Sequence, residues 1–199
     1  LGERSAPPYL FTWVSPDPGT HLLTARATDD RFSTTTSAAV QVSVIEPEQV
    51  GLVPSGSEWR YLDTGTDPGD GWMESGFDDA SWLRGPAQLG YGDGDEATVV
   101  RFGEVANDKH ITTWFRRAFA ATDLDQWLGL DLGVLRDDGV VVYLNGTEVF
   151  RDNLPVAVPI AWNTLALQGV EASGYLQVTV DPGLLIEGMN QLAAEIHQV

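Results

Sequence analysis

The chain has 199 residues, 43% of them hydrophobic, no cysteine, and a formal charge of −18 from 11 Lys and Arg against 29 Asp and Glu. That charge repels nucleic-acid backbones and anionic lipid surfaces, and it favours cations as partners. The missing cysteines remove disulfide frameworks, thiolate metal sites and cysteine nucleophiles together, and no apolar run reaches the ~20 residues of a membrane span.

Residues 9–45 alternate with a period of two. YLFTWV (9–14), HLLTARAT (21–28) after the turn DPG (17–19), and AAVQVSVI (38–45) predict three strands, with the polar DDRFSTTTS between the second and third as a loop. The segment IEPEQVGLVPSGS (45–57) carries two prolines and two glycines without periodicity and reads as a linker. The expected division is a first unit at 1–46, a linker at 47–56 and a second unit at 57–199. Charge shifts at the same place: residues 47–199 hold 24 acids and eight bases, −16, and residues 1–46 hold five and three, −2.

The second unit offers many short strand-like runs: WRYL (59–62), ATVVRF (97–102), ITTWFRRAFA (111–120), LGLDLGVL (128–135), GVVVYL (139–144), TEVFR (147–151), TLALQ (164–168), YLQVTV (175–180) and NQLAAEIHQ (190–198). Glycine, Asp and Asn turns separate them, which predicts an all-β antiparallel sandwich. In LGLDLGVL, Leu128, Leu130, Leu132 and Val134 share one face, the core face, opposite Gly129, Asp131 and Gly133. Asn145-Gly146 between VVVYL and TEVFR is the preferred pair for a type I′ hairpin, because both positions need a positive φ. DPGLLIEG is the one helical turn expected, with Asp181 as N-cap and Pro182 at the first helical position.

From about Ser57 to Val199 the segments WRYLDTGTDPGDGW, FDDASW, GPAQLGYGDGDEATVVRFG, ITTWFRRAF, LRDDGVVVYLNGTEVFRDNLP and NQLAAEIHQV together resemble galactose-binding-like jelly-roll modules of exported bacterial proteins. The first unit looks like the C-terminal half of a bacterial immunoglobulin-like domain. Both resemblances imply that the chain begins and ends inside a domain. They imply a non-catalytic module, secreted or on the bacterial cell surface, that binds a polysaccharide or cell-surface glycan or mediates adhesion. The alternative they leave open is a fibre subunit whose unpaired edges are completed head-to-tail by strands from other copies of the chain.

Nine acids between Asp63 and Glu96 face one base, Arg84. Hard oxygen ligands on glycine-rich loops suit Ca²⁺, although DTGTDPGDGW departs from an EF-hand loop. Asp63, Asp67 and Asp70 are the expected metal ligands, against ordinary Asx-turns and helix caps. Related jelly-roll modules carry Ca²⁺ in such loops, which the resemblance extends to this chain. GYGDGDEAT (90–98) presents Tyr91 among carboxylates, and an aromatic face beside hydroxyl acceptors suits a sugar. Of the seven tryptophans, Trp72 and Trp162 lie in loop-like stretches and are expected to be exposed. The predicted ligand site is therefore Trp72, Tyr91, Asp93 and Asp95.

Catalytic signals are thin. His21, His110 and His197 are the only histidines, none near a serine in a glycine elbow and no two at zinc-ligand spacing. The adjacent Asp137 and Asp138 before Gly139 suggest chemistry, but a turn in which an Asp accepts backbone N–H bonds explains them better. We assign the pair to the scaffold.

Overall fold

In the computed structural model, which describes every residue except Ser15, Ala106 and Asn107, the chain divides at Val50 into Leu1–Val50 and Gly51–Val199. It is all-β, with no α-helix among the described residues. No helix there is long and apolar enough to cross a membrane.

In the first unit, β1 (Gly19–Leu23) pairs antiparallel with β4 (Val40–Val44), and β2 (Arg26–Thr28) with β3 (Thr34–Thr36). Three expectations fail here. HLLTARAT breaks into β1 and β2, and the polar connector expected as a loop supplies β3. The cause is local: the Asp29 carboxylate accepts the N–H groups of Arg31 (2.9 Å) and Ser33 (2.8 Å), closing a tight turn between β2 and β3. YLFTWV forms no strand, because alternation marks two faces but, among the described residues, no neighbouring segment bonds its backbone. Trp13 instead packs edge-on against His21 at 4.7 Å. No described residue of this unit is buried, and Phe32 is 88% exposed.

In the second unit β5 (Glu58–Leu62), β6 (Leu83–Pro86), β9 (Thr112–Ala121), β11 (Gly139–Leu144), β12 (Thr147–Asp152) and β14 (Gly188–His197) build a six-stranded antiparallel sheet. Its order is β12-β11-β14-β9-β5-β6. Strands β10 (Leu130–Val134) and β13 (Leu176–Val180) pair antiparallel and supply the facing layer. Alternation puts Val140, Val142, Leu144, Phe119 and Leu192 of the large sheet against Val134 and Val180 of the small one, and these side chains form the main core. Each is worth about 1.5–3 kcal/mol when fully buried. The hairpin forms as its residues require: Asn145 and Gly146 adopt φ 51° and 82°.

Three sequence expectations need correction in this unit. ATVVRF yields only β8 (Thr98–Val99), which pairs parallel with β7 (Leu89–Gly90), so the fold is not wholly antiparallel. TLALQ is no strand: Ala166 donates to Gln198 O and Leu167 to Asn153 O, tying a loop to two different elements. Leu128 is exposed because β10 starts only at Leu130, which leaves it outside the core row. DPGLLIEG forms a short 3₁₀ turn, Pro182–Leu184, with the Asp181 side chain accepting from Gly183 N.

The other face of the large sheet is covered by the loop between β5 and β6. Trp72, Met73, Phe77 and Trp82 from that loop pack with Trp114 of β9 and Ala193 of β14. The buried Arg116 of β9 fastens the loop. Its guanidinium donates to the carbonyls of Trp72 and Glu74, to Gln191 Oε1 and to the Asp79 carboxylate.

Gly139 shows how tightly the turn before β11 is packed. An added Cβ would sit 3.0 Å from both Asn153 O and Leu154 Cγ, and 3.2 Å from Ala166 Cβ. Gly139→Ala is expected to lower stability by about 1–3 kcal/mol through overpacking, read as an earlier urea unfolding midpoint with unchanged slope.

Candidate cation and ligand site

Asp138 is a scaffold residue, and its bonds arrange its neighbours. Its carboxylate is buried and accepts Val170 N at 2.7 Å and Val199 N at 3.1 Å. Asn153 Nδ2 reinforces the junction, donating to Asp138 O (3.2 Å) and Gln168 O (2.6 Å). Fixing Val170 against this turn also fixes Glu171, the next residue, close to Asp137, the preceding one. A structural carboxylate thereby draws two others together.

The third comes from GYGDGDEAT. Gly92 and Gly94 take φ 118° and 80°, which lets the chain reverse around Asp93. Glu96 secures the reversal by accepting Asp93 N (3.0 Å) and Gly94 N (2.9 Å). Backbone N–H bonds, from its own residue first and then from Asp93 and Gly94, hold its carboxyl below the usual range. One carboxylate oxygen from each of Asp93, Asp137 and Glu171 then lies within 4.8 Å of the others, with Asp137 half-buried and the other two exposed.

Electrostatics in the cluster are strained. Burial first, then the charges of Asp138 and Glu171, push Asp137 up to about 6, and Lys109 opposes them. Lys109 Nζ sits 4.9 Å from the centre of the Tyr91 ring, which also packs tilted against Phe102 at 5.0 Å. Burial and then Asp137 and Asp138 push the Tyr91 hydroxyl up to about 12, so it stays a hydrogen-bond donor at neutral pH. The donor set is made of hard oxygens, which suits Ca²⁺ or Mg²⁺ and not a soft metal. Three carboxylates supply part of the six to eight oxygens Ca²⁺ takes.

The residues singled out from the sequence divide. Tyr91 and Asp93 stand at this cluster. Asp95 is exposed and outside it. Trp72 is 6% exposed and meets Tyr143 edge-on at 5.6 Å, so its expected exposure is overturned: the loop that carries it folds back as a lid on the sheet. Trp162 is exposed as expected. Asp63 is buried and accepts Arg101 N at 2.8 Å, Asp67 closes an Asx-turn onto Gly69 N at 2.8 Å, and Asp70 is exposed. Among the described residues these three do not converge as a metal cluster; each carboxylate with a bond satisfies a local or loop-joining N–H. Glu171 and Lys109 were missed, and of the pair assigned to the scaffold only Asp138 is a buried anchor, Asp137 standing in the carboxylate cluster. Glu171 sits in VEASG, a stretch with no motif, and the adjacent Asp137-Asp138 pair was the only signal near it.

His197 lies in a separate buried chain of polar groups. Its Nδ1 donates to Thr164 O at 2.7 Å and lies 3.0 Å from Thr112 Oγ1. Nε2 is 3.2 Å from Glu195 Oε2 but out of line for a hydrogen bond, and Glu195 accepts the Tyr143 hydroxyl at 2.6 Å. Burial, then Glu195, pushes the Tyr143 hydroxyl far up. At 0% exposure the imidazole reaches no substrate, and it serves to join β14 to the 162–164 loop.

No protein-family model matches the chain, and no curated protein matches it significantly. Among solved structures, similarity extends to a β-glucuronidase from glycoside hydrolase family 2, at 15% identity and TM-score 0.47, over 71% of this chain and 13% of that one. A β-glycosidase from Bacteroides vulgatus gives 19% and 0.42, over 71% and 16%. A β-glucuronidase from an uncultured Clostridium sp. gives 15% and 0.43, over 94% and 24%. The chain spans less than a quarter of the length of each.

Proposed function

We propose that Gly51–Val199 is a non-catalytic, galactose-binding-like module of an exported bacterial protein, binding carbohydrate, or mediating adhesion, at the loop cluster of Tyr91, Asp93, Asp137 and Glu171. The first unit is read as part of an immunoglobulin-like domain that precedes it in the sequence. The observation that carries the proposal is the convergence of three carboxylates from three separate loops next to a half-buried tyrosine. Ca²⁺ is the proposed occupant, held by Asp93, Asp137 and Glu171. The ion would neutralise the mutual repulsion of these carboxylates and would take sugar hydroxyls as further oxygen ligands, while Tyr91 adds an apolar ring and a hydroxyl.

The test is a melting series with and without CaCl₂, followed by a glycan array in calcium and in EGTA. Calcium is expected to raise the melting temperature, and EGTA to abolish glycan retention. Asp93→Asn and Glu171→Gln should remove both effects. A chain that melts identically in either buffer and retains no glycan refutes the proposal.

The site also predicts a pH dependence. Because Asp137 titrates near 6 when folded against an ordinary value of 3.8, the folded state holds the proton more tightly. Without a cation, the stability contributed by that proton is complete below 3.8 and is lost as pH rises through 6. Asp137→Asn is therefore expected to raise the calcium-free melting temperature at pH 7.5 and to weaken calcium binding. For the unaltered chain, calcium affinity should climb between pH 5 and 7 in a titration calorimeter.

A second reading, a fibre subunit joined by strand complementation, is favoured by one observation. The apolar side chains of the first unit, including Leu22, Val40 and Ile45, stand exposed beside two-stranded sheets with free edges. Sedimentation should then show species that grow with concentration; a single monomer boundary throughout defeats it.

A further inference from the structure

We infer that the loop 153–170 of the second unit is a self-association surface, which receives the apolar face of the first unit of another copy of this chain. The inference rests on the second reading above, self-association, and names the surfaces that meet. Its origin lies in the charge pattern. Between Asp152 and Glu171 stand 18 consecutive uncharged residues, NLPVAVPIAWNTLALQGV, the longest such run in the chain. The next two longest both belong to the first unit: 14 residues between Arg31 and Glu46, and 12 between Arg4 and Asp17. Two copies that each carry −18 repel wherever acids meet acids, so contact costs least where neither surface is charged.

Within the loop the apolar side chains divide by direction. Leu154 and Ala166 are buried, whereas Val156, Val158, Trp162, Leu165 and Leu167 are each at least 44% exposed. The outward set cannot turn in, because the backbone beneath it is fastened. Thr112 Oγ1 donates to Trp162 O at 2.6 Å and His197 Nδ1 to Thr164 O at 2.7 Å, while Ala166 N donates to Gln198 O and Leu167 N to Asn153 O, both at 3.0 Å. Arg151 holds the other limb through Pro155 O at 2.6 Å and Val158 O at 2.9 Å. A pinned loop presents its apolar groups without the ordering cost of a mobile one. Exposed apolar groups gathered in this way mark an interaction surface.

The first unit supplies the matching face. Strand register puts Leu23, Val40, Val42 and Val44 on one side of the β1–β4 sheet, together with His21. Trp13 packs on that side at His21, yet none of the four is buried. A two-stranded sheet is marginal in water until another layer covers its apolar face. Because the loop and the face are different surfaces, the contact is heterologous and leaves one of each free for a further copy.

Sedimentation velocity of the 199-residue chain tests this. Species are expected to grow with concentration, and more so in added NaCl, which screens the repulsion between acidic copies and leaves an apolar contact intact. Two variants, each shown by melting to be folded, separate the surfaces. Leu165→Glu combined with Leu167→Glu should raise the dissociation constant about a hundredfold, roughly tenfold per leucine, and Val40→Glu about tenfold. An equimolar mixture of the two should form a dimer at concentrations where neither associates alone, since one intact loop then meets one intact face. A monomer at every concentration and salt overturns both this inference and the reading it rests on. Association that the loop variant retains lies elsewhere and overturns this inference alone. So does association that the loop variant loses but Val40→Glu keeps at full strength, which gives the loop a different occupant, and association that weakens with salt, which makes the contact ionic.

Discussion

Replacing Arg116 with methionine is expected to lower unfolding free energy by about 3 kcal/mol, the lower end of the range for removing one partner of a buried ion pair. The guanidinium is 2% exposed. Its removal leaves the carbonyls of Trp72 and Glu74 without their donor in a dry layer. The loss is held to the lower end because Asp79 keeps Arg60 at 3.0 Å. Arg116→Lys should recover little, since one ammonium cannot span acceptors on Trp72, Glu74, Asp79 and Gln191 together. Urea unfolding gives the magnitude. Tryptophan emission gives the mechanism, because Trp72 and Trp82 should move to a wetter environment when the lid loosens.

Trp114→Ala is expected to destabilise the second unit by about 3–5 kcal/mol, the usual cost of truncating a large aromatic side chain in a core. Trp114 is among the largest fully buried side chains and lies between the sheet and the lid residues Trp72 and Trp82. Both substitutions act on the same layer, Trp114 and Arg116 being two residues apart on one strand face. The double variant should therefore lose less than the sum of the singles, because a lid already detached by one has little left to lose to the other. A loss equal to the sum would mean that Arg116 and Trp114 support different elements.

Arg116→Met is not expected to change the calcium binding proposed at Asp93, Asp137 and Glu171. Those carboxylates are held by the Asp138 junction and the 90–98 loop, which the lid does not support.

The amino-acid order by itself determined the elements whose cause is local. Runs rich in β-branched and aromatic residues between turn signals located β9 and β11, and alternation located β14, because a strand with one apolar face repeats every second residue. Asn145-Gly146 located the hairpin, because a type I′ turn needs two positive φ angles. Asp181-Pro182 located the 3₁₀ turn through a cap and a fixed φ. Where local preference was weak, the expectation failed: TLALQ alternates but divides its backbone bonds between Gln198 and Asn153 instead of forming a ladder, and TTT pairs despite reading as loop.

Only the tertiary structure decided which acids and which arginines matter. Asp137 and Asp138 are adjacent, yet one is a buried anchor and the other part of a carboxylate cluster, a difference set by Val170 and Val199 more than thirty residues away. Glu171 carries no local signal because its partners arrive on other loops. Trp72 looked exposed in a glycine-rich stretch and is buried by the lid it belongs to. The row of Arg60, Arg84 and Arg116 likewise depends on strand register between segments distant in sequence, which follows from how whole strands pack and not from any short motif.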